Sequence, residues 1–268
     1  MSALSTAAQM VRQYWRQPLI WPAIWRASTT YLAGRLRPDL QGKGEAARKM
    51  ERIEAAVWCD ECAVSLNEFT KKLPFELELR DPKAEHSEIF RAAQARVDAC
   101  PTKLGGAGNL TLLYSIALAL RAGSVVETGV AYGWSSLALL LAMKDDPGAK
   151  LASVDLPYLN RRNDDWVGIA VPRDMSRNWH LLRMADREGL PRALAITGAL
   201  DLAHYDSDKS REGRHFAYGA LWAALRPGGV LISDDIGDNF AFRDFACEIG
   251  QEPIILRQDA KYQGILVK

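Results

Sequence analysis

From Ser124 onward the chain repeats one pattern: a short apolar run, a turn, then a helical stretch. Strands are expected at 124–128, 151–155, 180–184, 202–206 and 230–234, with helices such as 135–143 and 216–225 between them. Alternation of this kind dictates a parallel sheet with helices on both faces, a doubly wound α/β fold. Two further β-like runs, 253–256 and 264–267, leave no room for a helix between them, so they should close the sheet as an antiparallel hairpin.

The first hundred residues have a different texture. Residues 44–72 read as helix, another helix is expected over 86–100, and no strand-like run precedes residue 123. The division expected is a helical N-terminal extension over 1–100 and a sheet domain over 101–268. The first 37 residues hold five arginines, no acid and three of the eight tryptophans. An arm packed on its own domain or across a dimer fits this segment best, and contact of residues 10–37 with a membrane surface is the sharper alternative. The apolar run around Pro18 and Pro22 is too short to span a bilayer. A net charge of +1 gives no global field for nucleic acid. The four cysteines form no disulfide framework, which points to a reducing, cytoplasmic setting. Cys59 and Cys62 form a CxxC inside a helical stretch with no second ligand pair nearby, so they read as helix-face thiols.

Ligands of doubly wound sheets sit at the carboxyl ends of the strands. This sequence places acids there: Glu127, Asp155, Asp206 and the pair Asp234–Asp235. After the first strand comes VVETGVAYGWSS, in which Gly129 and Gly133 allow a sharp turn and a close backbone approach to a ligand. The helix beginning near Ser135 offers free N–H groups, and Asp155 can take a ribose diol. The dinucleotide fingerprint G-x-G-x-x-G is absent. Glu127 would repel a pyrophosphate but would suit an ammonium or sulfonium ligand.

ETGVAYGWSS resembles the first motif of the class I S-adenosylmethionine-dependent methyltransferases, nearest to the metal-dependent O-methyltransferases such as catechol O-methyltransferase. That resemblance implies a Rossmann-like methyltransferase sheet. It implies that Glu127, Gly129, Tyr132 and Ser135 hold the methionine end of S-adenosylmethionine and Asp155 its ribose, with Gly133 also binding the cofactor. LLRMADREGLP resembles the third motif, which makes Asp186 a neighbour of the adenine.

The stretches HYDSDKSREG and PGGVLISDDIGDN bring Asp206, Asp234 and Asp235 to the ends of neighbouring strands. Adjacent strands lie about 4.8 Å apart. Three uncompensated carboxylates so close would repel, and a divalent cation would resolve the conflict. With oxygen ligands alone, Mg²⁺ is the first expectation, with Mn²⁺ or Ca²⁺ as alternatives. The D-S-D-K spacing followed by an acid pair resembles the sugar O-methyltransferases of antibiotic biosynthesis. That likeness implies a metal on Asp206, Asp234 and Asp235, and Asp208 as the general base. The catechol O-methyltransferase pattern assigns the base to Lys209 instead, and both positions carry competent residues. The implied acceptor is a small molecule with adjacent oxygens, a sugar diol or a catechol, and a homo-oligomer is expected.

An S-adenosylmethionine-binding protein of the same fold without methyl transfer, in a hydroxylase-like or scaffold role, is the alternative, and an NAD-dependent oxidoreductase the third reading. Residues 163–174 resemble a segment that covers the active site in some relatives. His204, on a central strand, reads as a packed core residue. His215 reads as a helix-surface residue or one close to substrate. Asp238 and Asn239 read as shaping the turn after the acid pair.

Overall fold

The computed structural model describes residues 14, 18–22, 24–26, 38–157, 164–259 and 261–268. Nine α-helices are named here: α1 (Pro38–Cys62), α2 (Leu66–Lys72), α3 (Pro82–Glu85), α4 (Ser87–Asp98), α5 (Leu110–Ala119), α6 (Trp134–Ala142), α7 (Asp186–Thr197), α8 (Arg211–Ala224) and α9 (Ala241–Glu248). The strands are β1 (Ala63–Val64), β2 (Ser124–Thr128), β3 (Lys150–Val154), β4 (Trp179–Leu182), β5 (Leu200–Tyr205), β6 (Leu225–Ser233), β7 (Ile254–Gln258) and β8 (Lys261–Val267). They form one sheet in the order β1-β7-β8-β6-β5-β2-β3-β4.

The expected doubly wound α/β sheet is present. β4, β3, β2, β5 and β6 run parallel, and β8 pairs antiparallel with both β6 and β7. The sequence of β2, Ser-Val-Val-Glu-Thr, is buried from Val125 onward because helices cover both faces of the sheet. One face packs against α5 and α6, whose apolar residues Leu112, Leu113, Leu137 and Leu139 are nearly inaccessible. The other face packs against α7, α8 and α9 through Leu190, Tyr218, Leu221 and Phe242.

Helix starts follow local chemistry. Ser65 caps α2 in a reciprocal capping box with Glu68, Asn109 caps α5, and Ser210 caps α8. The N-terminal third departs from expectation in one element. β1 is a strand, two residues long, paired in parallel with β7. The sequence holds only Ala63–Val64 in extended form between two helices, too short a run for any periodicity to mark.

Most of residues 10–37, the segment expected to form an arm, lies outside the described residues. Of its described side chains, Tyr14, Ile20 and Ile24 are buried. Arg26 makes a two-pronged pair with Glu188 of α7, at 3.0 Å on both arms. Among the described residues no helix is long and apolar enough to cross a membrane.

Candidate active site

Strand register assembles the site. Asp206 N donates to Thr128 O at 2.9 Å, Asp234 N to Tyr205 O at 2.9 Å, and Gly129 N to Val154 O at 2.8 Å. The residues that follow β2, β5 and β6 therefore emerge at one level of the carboxyl edge. They line a cavity of about 230 Å³ walled by Gly129, Val130, Ala131, Ser135, Asp155, His204, Asp206, Asp234, Asp235 and Lys261, and by the glycine-rich loop 104–108. A side cavity of about 70 Å³ adds Gln258 and Gln263.

Gly129 holds a positive φ of 80°, and a Cβ there would lie 2.2 Å from the backbone oxygen of Asp206. Only glycine lets the end of β2 pass this close to the end of β5. Gly133, at φ 85°, starts α6 and leaves Ser135 in its first turn facing the cavity. Asp155 lines the cavity, with Oδ2 accepting from Val130 N at 2.7 Å and Ala131 N at 3.0 Å. Its Oδ1 accepts from Arg183 at 2.7 Å. A ribose on Asp155 would share a carboxylate that already orders the turn.

Glu127 and Tyr132, expected at the methionine end, do not wall the cavity. Glu127 is wholly buried, and its Oε2 accepts from Ser136 at 2.5 Å and Ser153 at 2.8 Å. The reason is register: Glu127 pairs with Ser153 of β3 on one side and His204 of β5 on the other. The Tyr132 hydroxyl donates to Thr102 O at 2.9 Å and ties the turn to the segment before the glycine-rich loop. Asp186 lies at the start of α7, where its Oδ2 accepts from Ser207 Oγ at 2.5 Å. Burial raises its carboxyl to about 6.

His204 is more than core filling. Its Nδ1 lies 3.6 Å from Glu127 and its Nε2 3.5 Å from Asp234, and the ring also borders the cavity. Burial alone would lower its pKa, but the two flanking carboxylates raise it above the ordinary value. A buried imidazolium thus links the acid under the turn to the acid at the end of β6. His215, by contrast, is exposed and faces Glu248.

The acid cluster differs from the expectation of three uncompensated carboxylates. Lys209 pairs with Asp206 through a short contact and with Asp235 at 3.2 Å. Lys261 reaches Asp235 from the β7–β8 hairpin at 2.9 Å. Asp234 accepts from Gln263 at 2.5 Å and faces His204. Two ammonium groups and an imidazolium supply the positive charge assigned to a metal ion. Among the described residues no three acids or histidines are grouped to hold one. As disposed here, Asp206, Asp234 and Asp235 do not fit Mg²⁺, Mn²⁺ or Ca²⁺, because Lys209, Lys261, Gln263 and His204 already engage oxygens of all three.

Asp208 and Lys209, the two positions implied for the base, both lie outside the cavity lining. Asp208 Oδ1 accepts from Ser210 N at 2.9 Å at the entry to α8, and its carboxyl packs on Gly213 rather than lining the cavity. The expected cover, 163–174, is fastened where described. Gly168 N and Ala170 N donate to Ala131 O and Tyr132 O at 2.9 and 2.8 Å, and Arg96 of α4 holds the carbonyls of Ile169 and Ala170 at 2.8 and 2.6 Å.

Several site residues were not anticipated from the sequence. Lys261, Gln263 and Asn109 meet the cluster only because β8 inserts beside β6, a long-range pairing with no local signal. Arg214 had one. It occupies the apolar row Arg214, Ala217, Tyr218, Leu221 of α8, where a charge must have a buried task. Its Nη2 donates to Asp235 O at 2.7 Å and supports that residue in a left-handed conformation, φ 54°. Asn239 Nδ2 donates to Lys209 O at 2.8 Å and its Oδ1 accepts from Ala241 N at 3.0 Å, so it ties the loop after β5 to the start of α9. Asp238 instead pairs with Arg52 of α1 at 3.1 Å.

Residues 126–236 match the family described as methyltransferase domain. The methyltransferase match runs from within β2 through Asp155, Asp186, Asp206 and Lys209 to the turn after Asp235, and so takes in most of the cavity wall. Cofactor-bound Rv0187 from MTB is similar in fold, with a TM-score of 0.52 at 18% identity over 71% of this chain and 97% of that one. So is TomG from Streptomyces achromogenes, an O-methyltransferase involved in tomaymycin synthesis and solved with SAM. It gives a TM-score of 0.51 at 17% identity over 78% of this chain and 98% of that one. Among curated proteins no sequence matches this chain.

Proposed function

We propose that this chain is an S-adenosylmethionine-dependent O-methyltransferase acting on a hydroxyl of a small molecule with adjacent oxygens. One observation carries the reading. A single cavity is walled on one side by the turn 129–135 and Asp155, and on the other by Asp206, Asp234, Asp235 and Lys261. The residues present suit the cofactor. The close approach at Gly129, Ser135 in the first turn of α6, and the Asp155 carboxylate would hold its amino-acid and ribose ends. When bound, S-adenosylmethionine supplies an electrophilic methyl group on a sulfonium.

The acceptor half follows from charge. A neutral hydroxyl is a poor nucleophile and must lose its proton as the new bond forms. Lys209 is paired with two carboxylates, so it is charged and has no lone pair to offer. Lys209 does not wall the cavity itself, and its task is to hold the Asp206 and Asp235 carboxylates in place there. Asp206, which lines the cavity beside it, is the group placed to take the proton. Asp235 and Lys261 present a second acid–base pair at the cavity wall for the neighbouring oxygen. Orientation of the hydroxyl by these groups supplies much of the acceleration.

The test is transfer of a labelled methyl group from S-adenosylmethionine to a panel of sugar diols and catechols. Product is expected with at least one vicinal diol. Cofactor binding in calorimetry without transfer to any acceptor would instead favour a non-methylating binding protein.

A further inference from the structure

The longest helix among the described residues carries an exposed apolar stripe. On α1, Ala46, Met50, Ile53 and Val57 follow one another at spacings of four, three and four residues, the alternation of a coiled-coil seam. All four are exposed, and the three larger ones strongly so: Met50 by 56%, Ile53 by 52% and Val57 by 52%. The side of α1 turned to the domain is a different one, built from Ala55 and Cys59, with Trp58 against Phe240 and Glu51 against Arg211. At about 100° per residue the stripe lies roughly 150° around the helix from that face. Residues 45–50 have no buried or half-buried side chain at all, so this stretch of α1 stands clear of the domain. Helical turns without tertiary packing are marginal in water.

We propose that α1 is a dimerisation helix, pairing in parallel along this stripe with α1 of a second copy of the chain. Charge chooses the partner and the direction. Lys49 and Glu54 flank the stripe on opposite sides, and among the described residues neither has an ion-pair partner. Five residues separate them, the offset at which flanking positions meet across a parallel two-helix seam. A two-fold axis makes the pair twice, Lys49 of each copy with Glu54 of the other. An antiparallel arrangement would set the Lys49 flank of one copy against the Lys49 flank of the other and the Glu54 flanks against each other, and lose both pairs. Because the stripe lies opposite the packed face of α1, the two domains fall on the outside of the pair.

The inference does not depend on the catalytic reading and is tested on the full chain by sedimentation. The wild type is expected as a particle of twice 29.7 kDa that dissociates on dilution. Ile53→Glu, at an exposed position, should give the single-chain mass while the domain stays folded, read as an unchanged near-ultraviolet circular dichroism spectrum and a cooperative melt. Lys49→Glu and Glu54→Lys should each weaken the dimer roughly tenfold, and the double exchange should restore it. A wild type that stays monomeric at every concentration overturns the proposal, as does an Ile53→Glu protein that keeps the dimer mass. A double variant as weak as the single ones overturns the parallel register.

Discussion

Two acids show how burial and partners separate roles that look alike in sequence. Asp186 and Asp206 both lie near the carboxyl edge of the sheet, yet only Asp206 walls the cavity. Asp186 is buried, and its carboxyl is raised from 3.8 to about 6. An acid with a raised folded pKa contributes stability that is fully present below the unfolded value and is lost as pH rises through the folded one. The cofactor-free protein is therefore expected to lose stability between about pH 4 and 6, by on the order of 2–3 kcal/mol from this group. Asp186→Asn should flatten that part of the profile and stabilise the protein at pH 7.5, as read by urea unfolding at several pH values. Lys209 allows a second expectation at this scale. Lys209→Met leaves Asp206 and Asp235 with less compensation, so Mn²⁺ should bind the variant roughly tenfold more tightly than the wild type in calorimetry. Equal affinities would show that Lys209 does not stand in for a cation. The sequence marked Asp206, Asp234 and Asp235 as convergent, because strand ends are legible in alternating apolar runs. It did not show what neutralises them, since Lys261 and His204 arrive through pairings across β8 and β5.

At the scale of elements, the turn after β2 is held from three directions. Asp155 binds its N–H groups, Tyr132 reaches Thr102, and 168–170 bond to its carbonyls under the grip of Arg96. Arg96→Ala should release the carbonyls of Ile169 and Ala170, cost about 1–3 kcal/mol of stability, and weaken S-adenosylmethionine binding through the turn. Unchanged melting and unchanged cofactor affinity would show that 167–171 does not support it. β6 starts at Leu225, five residues before the expected 230–234, whereas the strand 124–128 could be read closely because a β-rich apolar run ending in an acid leaves few alternatives. The order of β8 between β6 and β7 could not, nor could β1, because both are decided by long-range packing rather than by local pattern. Glu127 illustrates the same limit. Its place at the strand end was clear, while its burial between Ser153 and His204 follows from register alone.

Across the whole molecule, the sheet divides the work. On the proposed function, the turn side of the carboxyl edge would hold the donor, and the ends of β5, β6 and the hairpin strand β8 would present the groups for the acceptor. His204 joins the two halves from below through Glu127 and Asp234. α1 packs its inner face near Asp238 and Arg211, behind the acidic cluster, and turns its apolar stripe outward. The measurement that bears most directly on this division is single-turnover transfer of a labelled methyl group in the wild type and in Asp206→Asn, with cofactor affinity measured in parallel. The expected result is a loss of about 10²-fold or more in transfer with S-adenosylmethionine affinity unchanged. Full transfer by Asp206→Asn, or no binding of S-adenosylmethionine by the wild type, would contradict it.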